Sequence, residues 1–236
     1  MKTIGLLGGM SWESTQEYYR LINEGVKEAL GGFHSAKIVM NSVDFGPIEK
    51  LLAEGDWDAL SATLSEAALS VQAAGADFLL ICTNTMHRVA PGIEKTVRIP
   101  VLHIADATAE VITAKEIKTV GLLGTAFTME QDFYKGRLIK KHGLKVLVPE
   151  APDRVIVNDV IFNELCAGKL IERSKKEYLR IIERLAVHGA EAVILGCTEI
   201  GQLVKEGDTE IELCDTTSIH AKKAVDYALK ERGQYT

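Results

Sequence analysis

The hydrophobic positions of the chain fall into two patterns that alternate along its length. Short apolar runs, such as residues 192–195, are bounded by glycine or polar residues and have the length of strands buried on both faces. Longer segments, such as residues 60–74, place their apolar residues on one face of a helix. Strands that alternate with helices predict an α/β fold with mostly parallel sheets.

The same pattern gives the bounds of the predicted elements. Strands are expected at 3–7, 37–43, 101–104, 119–123, 145–148, 192–195 and 211–214, with a further strand that ends at Cys82. Helices are expected at 14–30, 60–74, 107–114, 128–142, 153–167, 175–188 and 218–230. Ser14 with Glu17 and Thr128 with Gln131 have capping-box spacing, so each pair is expected to open its helix.

The two halves of the chain repeat one another. Residues 75–83 match residues 189–197 at a spacing of 114, which aligns Thr83 with Cys197. Residues 5–9 and 121–125 form a second echo, and a weaker third one follows in the same order. Any two glycine-bounded βα units look somewhat alike, but three ordered echoes favour two related lobes. Across a pseudo-two-fold axis, Thr83 and Cys197 would then face one cleft, where a proton leaves one face of a carbon and another arrives at the opposite face.

Composition narrows the classes of function. A net charge of −6 with interspersed signs gives no electrostatic reason to bind nucleic acid. No apolar run approaches the ~20 residues of a membrane span, and no signal peptide is evident. The four cysteines lack metal-ligand spacing and fit reduced thiols, and Gly8-Gly9 lacks the spacing of a nucleotide-binding loop. We therefore expect a cytoplasmic protein without a bound metal.

Polar residues follow the predicted central strands. Their hydroxyls, amide and backbone N–H groups suit a small carboxylate, although helix capping explains them equally well. These candidates are Thr83, Asn84, Thr85, Thr125, Thr128, Cys197 and Thr198. Met10 either lines the same site or fills the core.

Cys197 is the strongest candidate for chemistry. It follows a buried strand at the edge where α/β sheets bind ligands, and a helix beginning there would favour the thiolate. Glu199 either caps its own helix or orients Cys197. Strand alternation points Cys82 away from Thr83, so a core thiol is expected there. His87 and His103 lie nearest the cleft, where structural histidines are commoner than catalytic ones.

The motifs resemble those of the aspartate/glutamate racemase family, and in particular its aspartate-racemase branch. The resemblance covers essentially the whole chain and rests on the residues of 8–15, 82–87, 123–129 and 196–199. It implies two α/β lobes with the site between them, and a C-terminal strand and helix that return to the first lobe. The expected division is therefore 1–100 plus 208–236 for the first lobe and 101–207 for the second. It also implies a homodimer and an amino-acid substrate.

The family works without pyridoxal phosphate or another cofactor and uses two thiols on opposite faces of the substrate Cα. In this chain Thr83 occupies the position of the first thiol, and the cysteine lies one residue earlier, at Cys82. Because an aliphatic hydroxyl is a far weaker acid than a thiol, the two enantiomers are expected to be handled unequally. Whether Cys82 or Thr83 serves that face stays open.

The preferred substrate also stays open. The resemblance places Glu164 over the pocket, where it would be an awkward neighbour for a second substrate carboxylate. A racemase that accepts neutral amino acids is therefore weighed equally with an aspartate/glutamate enzyme. The alternatives are a malonate-type decarboxylase or maleate isomerase of the same superfamily, and an amino-acid-binding protein that has lost catalysis.

Overall fold

The computed structural model describes residues 1–230, and the strands within them form two four-stranded parallel sheets. The first sheet contains β1 (Ile4–Gly8), β2 (Ile38–Ser42), β3 (Phe78–Ile81) and β4 (Val101–Leu102). The second contains β5 (Thr119–Gly124), β6 (Lys145–Leu147), β7 (Ala192–Gly196) and β8 (Glu212–Asp215). Their orders, β2-β1-β3-β4 and β6-β5-β7-β8, are the same pattern twice. The predicted α/β fold with two similar halves is confirmed.

The helices of the described residues lie between these strands. In the first half they are α1 (Trp12–Leu30), α2 (Phe45–Glu54), α3 (Trp57–Ala73), α4 (Ala90–Thr96) and α5 (Ile104–Ala114), with a 3₁₀ helix at Thr85–Val89. They continue with α6 (Ala126–Glu130), α7 (Lys135–His142), α8 (Ala151–Asn163), α9 (Glu172–Val187), α10 (Ile200–Leu203) and α11 (Thr216–Leu229). A second 3₁₀ helix lies at Leu165–Ala167. The hydrophobic pattern misses the short helices α2, α4 and α10, and it merges α6 with α7.

The two predicted capping boxes are wrong in the same way. Ser11 caps α1 by accepting a hydrogen bond from the Ser14 N–H at 3.3 Å, and Thr125 caps α6 by accepting one from the Thr128 N–H at 3.4 Å. Each helix therefore begins earlier than predicted. The reason is that a hydroxyl also stands three residues before each predicted cap, in the turn between the strand and the helix, where the free N–H groups need an acceptor.

Two strands fall on the other side of the expected lobe boundaries. The chain divides into one unit of Met1–Ile104 with the chain from His220 onward, and a second unit of Ala105–Ile219. β4 pairs with β3 and β8 pairs with β7, so backbone hydrogen bonds hold β4 in the first sheet and β8 in the second. Only the C-terminal helix returns to the first unit. Residues 231–236, the end of the expected first lobe, lie outside the described residues.

Each sheet is covered by helices, and its two central strands are buried except for Thr119 at the start of β5. All five residues of β1 and all five of β7 are buried, as are the four of β3. In the first unit β1 and β3 pack against residues of α1 and α11, and in the second β7 packs against residues of α8 and α9. Since the strands themselves are apolar, polar groups gather in the turns at their carboxyl ends. None of the helices within residues 1–230 combines the length and apolar character needed to span a membrane.

Candidate active site

The candidate residues cluster in turns that begin level with one another within each sheet. In the first unit Leu7 of β1 lies opposite Ile81 of β3, so the turns after these strands start side by side. In the second unit Gly124 of β5 lies opposite Gly196 of β7. The first pair of turns carries Met10, Cys82, Thr83, Asn84 and Thr85, and the second carries Thr125, Thr128, Cys197, Thr198 and Glu199.

The turn before Cys197 depends on close contact between two strands. A Cβ on Gly196 would lie 2.7 Å from the carbonyl oxygen of Leu123, and one on Gly124 would lie 2.9 Å from the carbonyl oxygen of Gly196. Both distances are below any ordinary contact, so β5 and β7 can end together only with glycine at these positions. The close pairing brings the Cys197 turn beside the Thr125 turn.

Cys197 and Glu199 form a thiol–carboxylate pair. The Cys197 thiol donates a hydrogen bond to Glu199 Oε2 at 3.0 Å, and the Thr198 hydroxyl donates to the same oxygen. Glu199 is 5% exposed, whereas Cys197 is half-buried. The carboxylate is therefore held in place beside a thiol on a residue that is only partly buried. Such an arrangement gives the thiol a proton acceptor within its own turn.

The environment of Cys197 favours the thiol over the thiolate. Burial raises the pKa of Cys197 well above its usual value, and the Glu199 carboxylate raises it further. The expected stabilisation of the thiolate by a helix N-terminus is therefore not what dominates. α10 has only four residues and begins after Glu199, so its dipole is small and a full negative charge lies closer to the sulfur.

The equivalent turn after β3 exposes a hydroxyl instead of a thiol. Cys82 is 0% exposed and packs in the hydrophobic core of the first unit, where burial raises its pKa. Thr83 is half-buried. Among residues 1–230, no side chain forms a hydrogen bond with the Thr83 hydroxyl. Asn84 and Thr85 are buried at the start of the 3₁₀ helix, and Met10 is buried in the neighbouring turn.

The threonines after β5 have structural partners. The Thr125 hydroxyl caps α6, and the Thr125 and Thr128 hydroxyl oxygens lie 3.2 Å apart. Thr128 is 0% exposed, so its side chain stabilises the turn from within. The Ala126 N–H is bound by Asn158 of α8 at 3.0 Å, a contact that spacing in the sequence does not reveal.

Glu164 lies at the C-terminal end of α8 with a buried carboxylate oxygen. Within residues 1–230, its Oε2 has no hydrogen-bond partner. The pKa of Tyr178 shows that Glu164 lies in the neighbourhood of the Cys197 thiol. This pKa is raised first by burial, and then by the charges of Cys197, Glu164 and Cys166. Glu164 and Cys197 therefore both lie near Tyr178 in the second unit. A buried carboxylate oxygen without a partner is costly unless a ligand supplies a donor.

Two hydrogen bonds that hold the turn after β3 could not be predicted from the sequence. Ser14 donates a hydrogen bond from its hydroxyl to the Cys82 carbonyl at 2.7 Å, and His87 Nδ1 lies 2.7 Å from the Thr83 carbonyl oxygen. The spacing of four between Thr83 and His87 is the only signal for the second contact, and it is common in helices. Among the described residues, no group of three or more His, Cys, Asp and Glu side chains could hold a metal ion.

Comparison with known proteins identifies the family of the chain. The family model described as Asp/Glu/Hydantoin racemase matches residues 7–224. A Yersinia pestis protein assigned as an Asp/Glu racemase is 53% identical, covers 98% of this chain and 100% of its own, and superposes with a TM-score of 0.93. An aspartate racemase homologue from Pyrococcus horikoshii OT3 is 34% identical, with the same coverage and a TM-score of 0.86.

A curated relative extends the comparison. The broad specificity amino-acid racemase RacX of Bacillus subtilis (strain 168) is 22% identical over 227 residues, which cover 94% of this chain and 96% of RacX. The family model spans both sheets and includes the turns that carry Thr83 and Cys197. The chain belongs to the Asp/Glu/hydantoin racemase family.

Proposed function

We propose that the protein is a cofactor-independent amino-acid racemase, in which the Cys197 thiol serves one face of the substrate Cα and the Thr83 hydroxyl serves the other. The observation that carries the proposal is the bond from the Cys197 thiol to the buried Glu199 carboxylate. A proton acceptor fixed beside a thiol is what deprotonation at carbon requires. Family membership supplies the reaction class.

The proposed reaction begins with the transfer of the thiol proton from Cys197 to Glu199. The thiolate then takes the proton from Cα, so that the C–H bond breaks and an S–H bond forms while the electron pair stays on carbon. A proton is delivered to the opposite face through the Thr83 hydroxyl, which takes a proton from water, while Glu199 releases the proton it accepted to water and returns to the carboxylate. Reversal of the steps converts the other enantiomer. Because the hydroxyl is the weaker acid, the step that uses Thr83 limits the reaction.

Two sets of groups hold the two charged ends of the amino acid, its α-carboxylate and its α-ammonium group. Asn84, Thr85 and Thr198 offer amide, hydroxyl and backbone N–H groups to the α-carboxylate. Glu164 offers its buried, unpartnered carboxylate oxygen to the α-ammonium group. This ion pair would offset the cost of the buried charge. Met10 supplies an apolar contact, while Thr125 and Thr128 shape the turn that supports Cys197.

Two substrate classes, acidic amino acids alone or neutral ones as well, fit the proposed reaction. The relatives include an aspartate racemase homologue and a broad specificity amino-acid racemase, and these names leave both classes open. A panel of L- and D-amino acids in D2O separates them: acidic substrates alone would exchange Cα hydrogen and invert in the first case, and neutral ones as well in the second. Release of carbon dioxide from a malonate would favour a decarboxylase instead.

The same assay tests the proposed reaction. We expect exchange and inversion with at least one amino acid, with unequal rates of Cα hydrogen exchange from the pure L and D forms. Binding without exchange would contradict catalysis and favour a binding protein. Equal rates of Cα hydrogen exchange from both forms would contradict the role of Thr83 and favour an ordinary thiol pair that includes Cys82.

We further propose that the protein is a cytoplasmic homodimer. All four cysteines are free, which agrees with a reducing compartment. The dimer rests on the resemblance to the family. Cell fractionation tests the first statement, and sedimentation equilibrium tests the second; a monomer at micromolar concentration would contradict it.

A further inference from the structure

The backbone on both sides of the Thr83 side chain is held by buried side chains. The Ser14 hydroxyl donates to the Cys82 carbonyl, and His87 Nδ1 contacts the Thr83 carbonyl, each at 2.7 Å. Ser14 is 2% exposed and His87 is 1% exposed, so water cannot readily replace either bond. The direction of the half-buried Thr83 side chain is thereby fixed by its two flanking peptide groups.

The bonds of His87 determine which ring nitrogen carries the proton. Nε2 accepts a hydrogen bond from the Ile104 N–H at 3.2 Å, so it must be unprotonated. Nδ1 therefore carries the hydrogen and donates it to the Thr83 carbonyl, which can only accept. Both nitrogens of the neutral ring are used. His87 cannot act as the proton donor or acceptor of the reaction without giving up one of these bonds.

Two further histidines, His103 and His220, pack against the His87 ring and hold the segment at residues 102–104. The His87 ring centroid lies 4.4 Å from that of His103 and 5.9 Å from that of His220. His220 Nε2 donates to the Leu102 carbonyl at 2.8 Å, and its Nδ1 accepts from the Tyr18 hydroxyl at 2.8 Å. The residues on both sides of His103 are therefore fixed by His87 and His220.

We propose that His87 is a positioning residue, whose neutral Nδ1–H tautomer holds the Thr83 peptide so that the hydroxyl is aimed at the substrate carbon. The proposal rests on the proposed function, in which Thr83 serves one face of Cα. It assigns His87 no contact with the substrate. A displacement of about 1 Å at a reacting group can lower a rate by about 10²-fold, so loss of this bond should be visible in turnover.

A matched pair of substitutions separates the two bonds of His87. The amide nitrogen of Asn lies as many bonds from Cβ as Nδ1, so His87→Asn can still donate to Thr83 but loses the bond from the Ile104 N–H. The amide oxygen of Gln lies as far out as Nε2, so His87→Gln can still accept from Ile104 but leaves the Thr83 carbonyl unpaired. Each variant loses one hydrogen bond, so their stabilities should be similar.

The readout is the ratio of inversion to exchange without inversion in D2O. Exchange without inversion needs only Cys197, whereas inversion also needs Thr83. We expect His87→Gln to lower the ratio about tenfold or more, with exchange at Cys197 and KM little changed, and His87→Asn to stay within about threefold of the wild type. Equal losses in the two variants, or parallel losses of exchange and inversion, would overturn the proposal.

Controls distinguish positioning from general damage. His188 makes the same type of bond, from Nδ1 to the Arg184 carbonyl four residues earlier at 2.6 Å, but on the surface of the second unit. His188→Gln should leave the ratio unchanged. Should His87→Gln fail to fold, Ser14→Ala removes the bond on the other side of Thr83 and should lower the same ratio; an unchanged ratio in Ser14→Ala would then count against the proposal.

Amide hydrogen exchange gives a measurement that needs no turnover. Residues 83–87 should lose protection in His87→Gln and keep it in His87→Asn. If the wild type neither exchanges nor inverts any amino acid, the proposed function fails, and this measurement alone decides whether His87 holds the Thr83 turn. Equal protection in both variants would show that His87 does not hold the Thr83 turn, even if the enzyme is active.

Discussion

The turns after β3 and β7 occupy the same place in two similar sheets, yet they hold their reactive groups differently. After β7 Cys197 is half-buried, and its thiol donates a hydrogen bond to the Glu199 carboxylate. After β3 the thiol of Cys82 is sealed in the core, and the accessible group is the hydroxyl of Thr83. The turn after β7 thus places a base beside the sulfur of Cys197. In the turn after β3, hydrogen bonds hold the backbone on both sides of Thr83.

This difference bears on the two unlike groups that we propose as proton carriers in one duplicated framework. A thiol with a raised pKa becomes reactive only when a neighbour can accept its proton, and Glu199 is that neighbour. A hydroxyl gains little from a carboxylate at neutral pH, because its proton is held far more tightly. Its contribution depends on position, which Ser14 and His87 control through the backbone.

Replacing Cys197 should have the largest effect on activity. Cys197→Ala removes the group that we propose takes the Cα proton, so both exchange and inversion should fall about 10³-fold or more in the D2O assay. Cys214 offers a control in the same unit, since it is 2% exposed and burial raises its pKa to about 11. Cys214→Ala should keep activity within about twofold. Near wild-type exchange in Cys197→Ala would remove the thiol from the mechanism.

Replacing Glu199 should have the second-largest effect on activity and tests whether this carboxylate acts on the Cys197 thiol. Glu199→Gln removes the proton acceptor, so kcat should fall about 10²-fold. The pKa of Cys197 should fall as well, because the Glu199 charge is one cause of its elevation. The rate of alkylation by iodoacetamide as a function of pH measures this shift. An unchanged alkylation profile would contradict the pairing, and Glu183→Gln, an exposed change on α9, serves as the control.

The buried His220, which lies near the turn after β3, should make the stability of the folded protein depend on pH. Burial lowers the pKa of His220 from 6.5 to about 4. Between these values the unfolded chain binds more protons than the folded one, so the free energy of unfolding falls as pH drops from 6.5 and is lower by about 3 kcal/mol at pH 4.

Urea denaturation at pH 7 and pH 4 measures this contribution. His220→Gln can still donate to the Leu102 carbonyl but does not titrate, so its loss of stability over this range should be smaller by about 3 kcal/mol. His188→Gln, a change of an exposed histidine, should behave as the wild type does. Parallel pH profiles for the wild type and His220→Gln would show that His220 does not carry the effect.

Replacing Cys82 should have the smallest effect on activity. Cys82→Ala leaves a small cavity in the core, so the free energy of unfolding should fall by about 1–2 kcal/mol, while inversion stays within about twofold of the wild type. Thermal denaturation and the D2O assay measure the two quantities. A tenfold loss of inversion at unchanged stability would give Cys82 a chemical role and undo the contrast between the turns.

Much of the fold could be predicted because its signals are local. The apolar runs at β1, β3, β5 and β7 are flanked by glycine, and helical periodicity fills the segments between them. The lobe boundaries could not be predicted in the same way. Whether β8 pairs with β7 or returns to the first sheet depends on backbone hydrogen bonds between distant segments, and α10 is too short to show a period.

The sequence by itself determined the duplication and the equivalence of Thr83 with Cys197, since both follow from the order and spacing of residues along the chain. Only the tertiary structure decided how each group is used. The Glu199 charge and burial set the proton affinity of Cys197, and a buried histidine fixes the peptide of Thr83. Proton affinity and side-chain direction depend on desolvation and on hydrogen-bond partners, which come into contact only when distant segments of the chain pack together.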